Sequence, residues 1–171
     1  ATPVKFSSLE RAHDKAFVQS VFDRAPKDDG DRIWIDDDTI MMDKSLNAAL
    51  HAAGAVTDAV DLVLADKSKS AFCSVRPPGH HAGRKSSSGF CIFNNIAVGA
   101  MHALDVHGLE RIAIIDFDVH HGNGTQNIVK DDDRVLFCSS FQHPFYPFTG
   151  DEPCRKGIVN VPIPAGTLGN K

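Results

Sequence analysis

Ile112-Ala113-Ile114-Ile115-Asp116-Phe117-Asp118-Val119-His120-His121-Gly122-Asn123-Gly124 decides how this chain folds. An apolar, β-branched run that ends in carboxylates, imidazoles and glycine predicts a buried strand over 112–119, running into a loop that carries chemistry. A short helix is expected next, over 124–130. In an extended chain side chains alternate between faces. Asp118 and His120 therefore point the same way and offer a metal ion one carboxylate oxygen and one imidazole nitrogen. A catalytic zinc takes three protein ligands, so these are two of the three. The plain reading stays open beside this one: an aspartate at a strand end also caps turns.

Outward from that stretch, short apolar runs alternate with helical ones. Strands are expected at 71–75 and 135–139, and helices at 45–65 and 94–107, the latter closed by Gly108. The Ala- and Val-rich helix at 45–65 is expected to lay one broad face on a sheet. Nearer the N-terminus, Ser7-Ser8-Leu9-Glu10 reads as a capping box opening a helix that ends before Pro26. Lys27-Asp28-Asp29-Gly30-Asp31 reads as an exposed loop. The alternation is the βαβ signature of a parallel sheet flanked by helices. Such sheets gather functional groups past the carboxyl ends of their strands. Both His80-His81, which follow the Pro77-Pro78-Gly79 turn, and the 116–123 loop fall at such ends.

These motifs, in this order, resemble the zinc-dependent histone deacetylase family, including its bacterial deacetylase-like and acetylpolyamine-amidohydrolase members. Arg76-Pro77-Pro78-Gly79-His80-His81-Ala82-Gly83, Ser88-Gly89-Phe90-Cys91-Ile92-Phe93-Asn94-Asn95, the Asp116 to Gly124 block and Phe145-Tyr146-Pro147-Phe148-Thr149-Gly150 carry the resemblance. It runs over roughly residues 8–168 and corresponds to the N-terminal half of the family's catalytic domain. It implies an arginase-like α/β fold, here an incomplete parallel sheet within one domain over 1–171, with an apolar edge or face left uncovered. The implied activity is zinc-dependent hydrolysis of an N-acetyl amide, on an acetyl-lysine peptide or protein or on an acetylated polyamine, to acetate and the free amine.

By the same resemblance Asp118 and His120 hold zinc, and His81 is the general base and acid. His80 is its electrostatic partner, and Asp116 and Asn123 orient His80 and His81. Where some relatives carry aspartate, Asn123 is an amide, so His81 is expected to hold its proton less tightly. Gly89, Phe90 and Tyr146 are the expected walls of a tunnel that admits an acyl-lysine chain. Asp116, Asp118, His120, Ser139 and Ser140 align with a monovalent-cation site for potassium, formed mainly by the backbone. Phe141 and Phe148 replace a histidine and a glycine common in relatives and are expected to reshape the tunnel mouth. The family's third zinc ligand, an aspartate, and its carbonyl-polarising tyrosine have no counterpart in these residues. His13, His51, His102, His107, His121 and His143 read as structural or solvent-facing.

Two rivals stand beside this reading. One is a non-catalytic, truncated relative that binds metal weakly or not at all and forms homo-oligomers over its unpaired sheet. The other is a ureohydrolase of the same fold, which needs two manganese ions and more carboxylates than this loop contains. Composition narrows the partners. With a net charge of −4 the chain lacks the basic face that direct nucleic-acid binding requires. Its four cysteines show no C-x-x-C spacing, which suits reduced thiols and a cytoplasmic location. No apolar run is long enough for a membrane span. Asp36-Asp37-Asp38 and Asp131-Asp132-Asp133 read as solvated loops, the first with an option on the tunnel rim, where it would attract a cationic substrate.

Overall fold

The computed structural model describes residues 1–169. A short helix α1 (Phe6–Leu9) is followed by α2 (Lys15–Arg24), a hairpin of β1 (Ile33–Asp36) and β2 (Thr39–Met41), and the long α3 (Ser45–Leu64). Then come α4 (Asn95–Asp105), β3 (Ile112–Asp116), α5 (Asn123–Val129), β4 (Val135–Gln142) and β5 (Ile158–Ile163). Strands β3, β4 and β5 form a parallel sheet in that order, with Asp116 opposite Ser139 at the end of the β3 register. The α/β class and the parallel, helix-flanked sheet agree with the expectation from sequence.

Several local expectations change. The N-terminal helix is broken in two, because Asp14 starts α2 by accepting the Ala16 amide at 2.9 Å. The Ser7 capping box has no such role, and Lys5 occupies the α1 cap position without a side-chain bond. Residues 71–75 form no strand. Phe72 is 92% exposed, and the segment faces β3 across open clefts lined by Cys73, Val75, Ile112 and Ile115. An extended apolar segment without a ladder partner in reach does not become a strand.

Helix α3 packs on α4 rather than on the sheet. Its buried residues are small (Ala49, Ala52, Ala53, Gly54 and Thr57). The helices approach closely at Gly99, where an added Cβ would stand 2.4 Å from Val56 Cγ1. The core joins α4, α5 and one sheet face through Phe93, Val98, Met101, Leu104, Ile114, Val135 and Phe137. The other sheet face is open: Ile115, Leu136, Val159 and Val161 are all exposed. Parallel sheets ordinarily cover both faces.

Candidate active site

The site is built where β3 ends. Asp116 closes that strand, and the chain then turns sharply instead of continuing to residue 119. Asp116 Oδ1 accepts the Asp118 amide at 3.2 Å, and Asp118 Oδ1 accepts the His120 amide at 2.8 Å. Each carboxylate thus folds the backbone two residues ahead of it. The turn keeps Asp118 and His120 together: His120 Nδ1 lies 3.0 Å from Asp118 Oδ1. Bonds of about 2.0–2.1 Å in a tetrahedral zinc centre place ligand atoms about 3.3 Å apart, so this carboxylate–imidazole pair fits two adjacent corners of one. Among the described residues, no third histidine, cysteine or carboxylate atom completes a cluster with them.

The two expected histidines lie beside that pair, with ring centroids 4.0 Å apart and ring planes tilted by 44°. His80 Nδ1 pairs with Asp116 Oδ2 at 2.9 Å, and His81 Nδ1 donates to Asn123 Oδ1 at 2.8 Å. An acceptor at Nδ1 puts the proton there in the neutral ring and leaves Nε2 with a free lone pair. The His81 imidazole is pushed down to about 4, first by burial and then by the neighbouring His80 charge, with only partial compensation from the Asn123 hydrogen bond. The Asp118 carboxyl is pushed up by partial burial, but the His120 amide and the His80 charge outweigh this and hold it below its usual range.

Glycines make the assembly possible. A Cβ on Gly122 would stand 2.1 Å from Asp116 Oδ2, and one on Gly124 would stand 2.4 Å from the His81 carbonyl carbon. With no side chain there, α5 docks on the histidine loop, and the Thr125 amide donates to His80 O at 3.0 Å. Gly89 sits at φ +56°, and its Cβ would stand 2.3 Å from His81 Cδ2. Only glycine combines that conformation with that closeness. Tyr146 closes the other side, packed edge-on against both His81 and His120, while Phe145 stacks on His120 at 5.0 Å. The tyrosine hydroxyl is pushed above its usual range, by burial first and then by the Asp38 charge.

The structure therefore brings His80, His81, Asp116, Asn123, Asp118, His120, Gly89 and Tyr146 together. Phe90 stands apart at the exposed edge, 67% exposed, lining a shallow pocket with Thr39, Ile40 and Pro77. Phe141 is not at the mouth at all. It is buried against His121, with ring centroids 4.7 Å apart, and beneath Gly150, so it fills core. Phe148 is 70% exposed. Ser139 is buried and Ser140 half-buried on the alternate face of β4.

Asp38 and His13 support the site without a signal strong enough to find in the sequence, and they act together with Asn94, the expected start of a helix. Asp38 lies in the acidic run read mainly as solvated, yet its Oδ1 accepts the Gly89 amide at 2.9 Å and the Thr39 hydroxyl at 2.8 Å, fixing the Gly89–Phe90 turn. His13 is fully buried, with Nδ1–H donating to Gly83 O at 2.8 Å while Nε2 accepts the Asn94 amide at 2.9 Å. Asn94 caps α4 through the Ala97 amide and holds Ala82 O with its side-chain nitrogen. The histidine loop is thus clamped from α4, α5 and the α1–α2 connection together.

Comparison with known proteins identifies the family. The family model described as the histone deacetylase domain matches residues 1–171. A probable deacetylase of Archaeoglobus fulgidus is 47% identical over 139 residues, which cover 78% of this chain and 38% of that protein. The chloroplastic histone deacetylase 14 of Arabidopsis thaliana is 41% identical over 175 residues, 93% of this chain and 41% of that protein. In three dimensions the chain is similar to the HDA15 HD domain, with a TM-score of 0.85 and 36% identity over 95% of this chain and 47% of that one. It spans less than half the length of these relatives. The chain belongs to the histone deacetylase family.

Proposed function

We propose that the protein to which these residues belong is a zinc-dependent deacetylase that hydrolyses an N-acetyl amide, on acetyl-lysine or an acetylated polyamine, to acetate and the free amine. The family is generally zinc-dependent and acts on acetylated proteins or peptides. The observation that carries the reading is the pair of oriented histidines, His80 on Asp116 and His81 on Asn123, set beside the Asp118–His120 donor pair. Zinc held by Asp118, His120 and a third ligand from outside the described residues would supply a hydroxide at neutral pH and polarise the acetyl carbonyl.

The chain's own residues do the rest. His81 takes a proton at Nε2 from the attacking water and returns one to the departing amine nitrogen. Its Nδ1–H bond to Asn123 fixes the ring orientation for both transfers. His80, oriented by Asp116, is the electrostatic partner beside the negative charge that develops on the carbonyl oxygen. Gly89 and Tyr146 flank His81 and leave a slot for an extended alkyl chain, with Phe90 at its edge. Potassium on the backbone of Asp116, Asp118 and His120, with Ser139 and Ser140, belongs to the same reading, as does a cytoplasmic location. Among the described residues the four cysteines are free, and no helix is long and apolar enough to cross a membrane.

Elemental analysis for zinc, paired with hydrolysis of a fluorogenic acetyl-lysine peptide with and without chelator, tests the proposal. Stoichiometric zinc and chelator-sensitive turnover that disappears in His81→Ala support it. A folded full-length protein with neither zinc nor turnover is instead a non-catalytic relative.

A further inference from the structure

A second convergence of ligand atoms lies away from this site, at the opposite end of α4. We propose that Asp61, His102 and His107 form a separate, non-catalytic binding site for a divalent first-row metal ion of the zinc class. Asp61 is on the last turn of α3, His102 on the last turn of α4, and His107 just past the α4 cap. Both Nε2 atoms meet one oxygen, His102 at 2.7 Å and His107 at 2.6 Å from Asp61 Oδ1. Among the described residues this is the one group of three histidine, cysteine or carboxylate ligand atoms that all lie within 4.8 Å of each other. The site is independent of the proposed deacetylase centre: about 12 Å of helix rise separates His102 from Asn94, which clamps the histidine loop.

Chemistry and electrostatics favour a cation here. Two imidazoles and one carboxylate are a borderline-soft set that suits zinc and its first-row neighbours better than calcium or magnesium. One carboxylate offsets half the ion's charge. The carbonyl ends of α3 and α4 converge at the same point, and helix C-termini carry negative partial charge. The half-exposed Asp61 leaves a fourth position for water. The ligand atoms must part from 2.6–2.7 Å to about 3.3 Å, a movement that the exposed Asp61 side chain supplies by rotation.

The tautomer exchange is also open. His102 now donates from Nε2 to Asp61, and metal binding requires that nitrogen's lone pair, with the proton moved to Nδ1. His102 Nδ1 is buried without a hydrogen-bond partner. No existing bond at Nδ1 therefore has to break for the proton to move there, and the two Nε2–H bonds to Asp61 are replaced by metal–nitrogen bonds.

The test uses the Asp118→Ala/His120→Ala protein, so that the deacetylase-type pair does not compete. Cobalt(II) titration should develop the visible absorption of a tetrahedral centre at one equivalent, reversed by added zinc, and zinc should raise the melting temperature. His107→Gln and, separately, Asp61→Asn should weaken cobalt binding at least tenfold and abolish the zinc-dependent thermal shift, with circular dichroism unchanged. Absence of cobalt absorption in the folded protein would overturn the assignment, leaving a hydrogen-bonded tie between α3 and α4. Binding of undiminished affinity in both variants would equally overturn it, by placing the ion elsewhere.

Discussion

Acidification from pH 7 to pH 4 should destabilise this fold through His13, and the size of the effect can be worked out. The ring is fully buried and doubly bonded as a neutral imidazole, donating from Nδ1 to Gly83 O and accepting at Nε2 from the Asn94 amide. Burial is the main reason its pKa falls from 6.5 to about 4. The unfolded chain takes up this proton below pH 6.5, whereas the folded chain resists until about pH 4. The contribution is therefore fully present above pH 6.5, is lost progressively as pH falls to about 4, and levels off below that. At about 1.4 kcal/mol per pH unit, the loss across this window is about 3 kcal/mol. That is a large share of the 5–15 kcal/mol typical of a domain. Urea unfolding of the wild type and of His13→Gln between pH 7 and pH 4 isolates it, because His81, His121 and the carboxylates titrate alike in both proteins. The wild-type advantage should shrink by about 3 kcal/mol over the window. Parallel curves would show that His13 takes up its proton alike in the folded and unfolded chain, and would refute the buried neutral ring assigned to it.

Gly89→Ala forces a Cβ at φ +56° into His81 Cδ2 and should cost about 1–2 kcal/mol in stability, read by thermal melting. If the protein has the proposed deacetylase activity, the same change should also lower kcat/KM at least tenfold, because His81 is displaced. Asn94→Ala removes the α4 cap and the bond to Ala82 O, so urea unfolding should show a loss of about 2–3 kcal/mol. Gly99→Ala places a methyl 2.4 Å from Val56 Cγ1 in the α3–α4 interface; about 1–3 kcal/mol of overpacking should appear as a lower unfolding midpoint.

Elements whose sequence signal is local were legible. The small-residue periodicity of α3, the Asn94 start of α4 and the β-branched run of β3 all read directly, with ends displaced by a few residues. β3 stopped short at Asp116 because its side chain and that of Asp118 recapture the next amides, a competition that alternation alone does not reveal. β5 went unread since Asn160 and Pro162 disguise it; Pro162 fits because β5 ends the sheet order and leaves an edge without a partner. The β1–β2 hairpin is only four and three residues long and hides in an acidic run. Residues 71–75 show the reverse failure, strand-like composition without a strand to pair with. In the site, the pairings of His80 with Asp116 and His81 with Asn123 were legible through the family motifs. The contacts of Asp38 and His13 join segments 51 to 81 residues apart and exist only once the chain is folded.

The His13 clamp has a consequence for how substitutions are tolerated. Both of its partners are main-chain atoms, the carbonyl of Gly83 and the amide of Asn94. Any residue at 83 keeps that carbonyl and any residue except proline at 94 keeps that amide, so beyond excluding proline this contact places no demand on side-chain identity there. Position 13 alone bears the whole chemical requirement, a flat ring with a donor on one edge and an acceptor on the other. In a library randomised at all three positions, the bond itself should generate strong selection at 13 and no pairwise covariation with 83 or 94. A tie that joins the first helices to the histidine loop is therefore silent to any method that detects contacts by compensating changes.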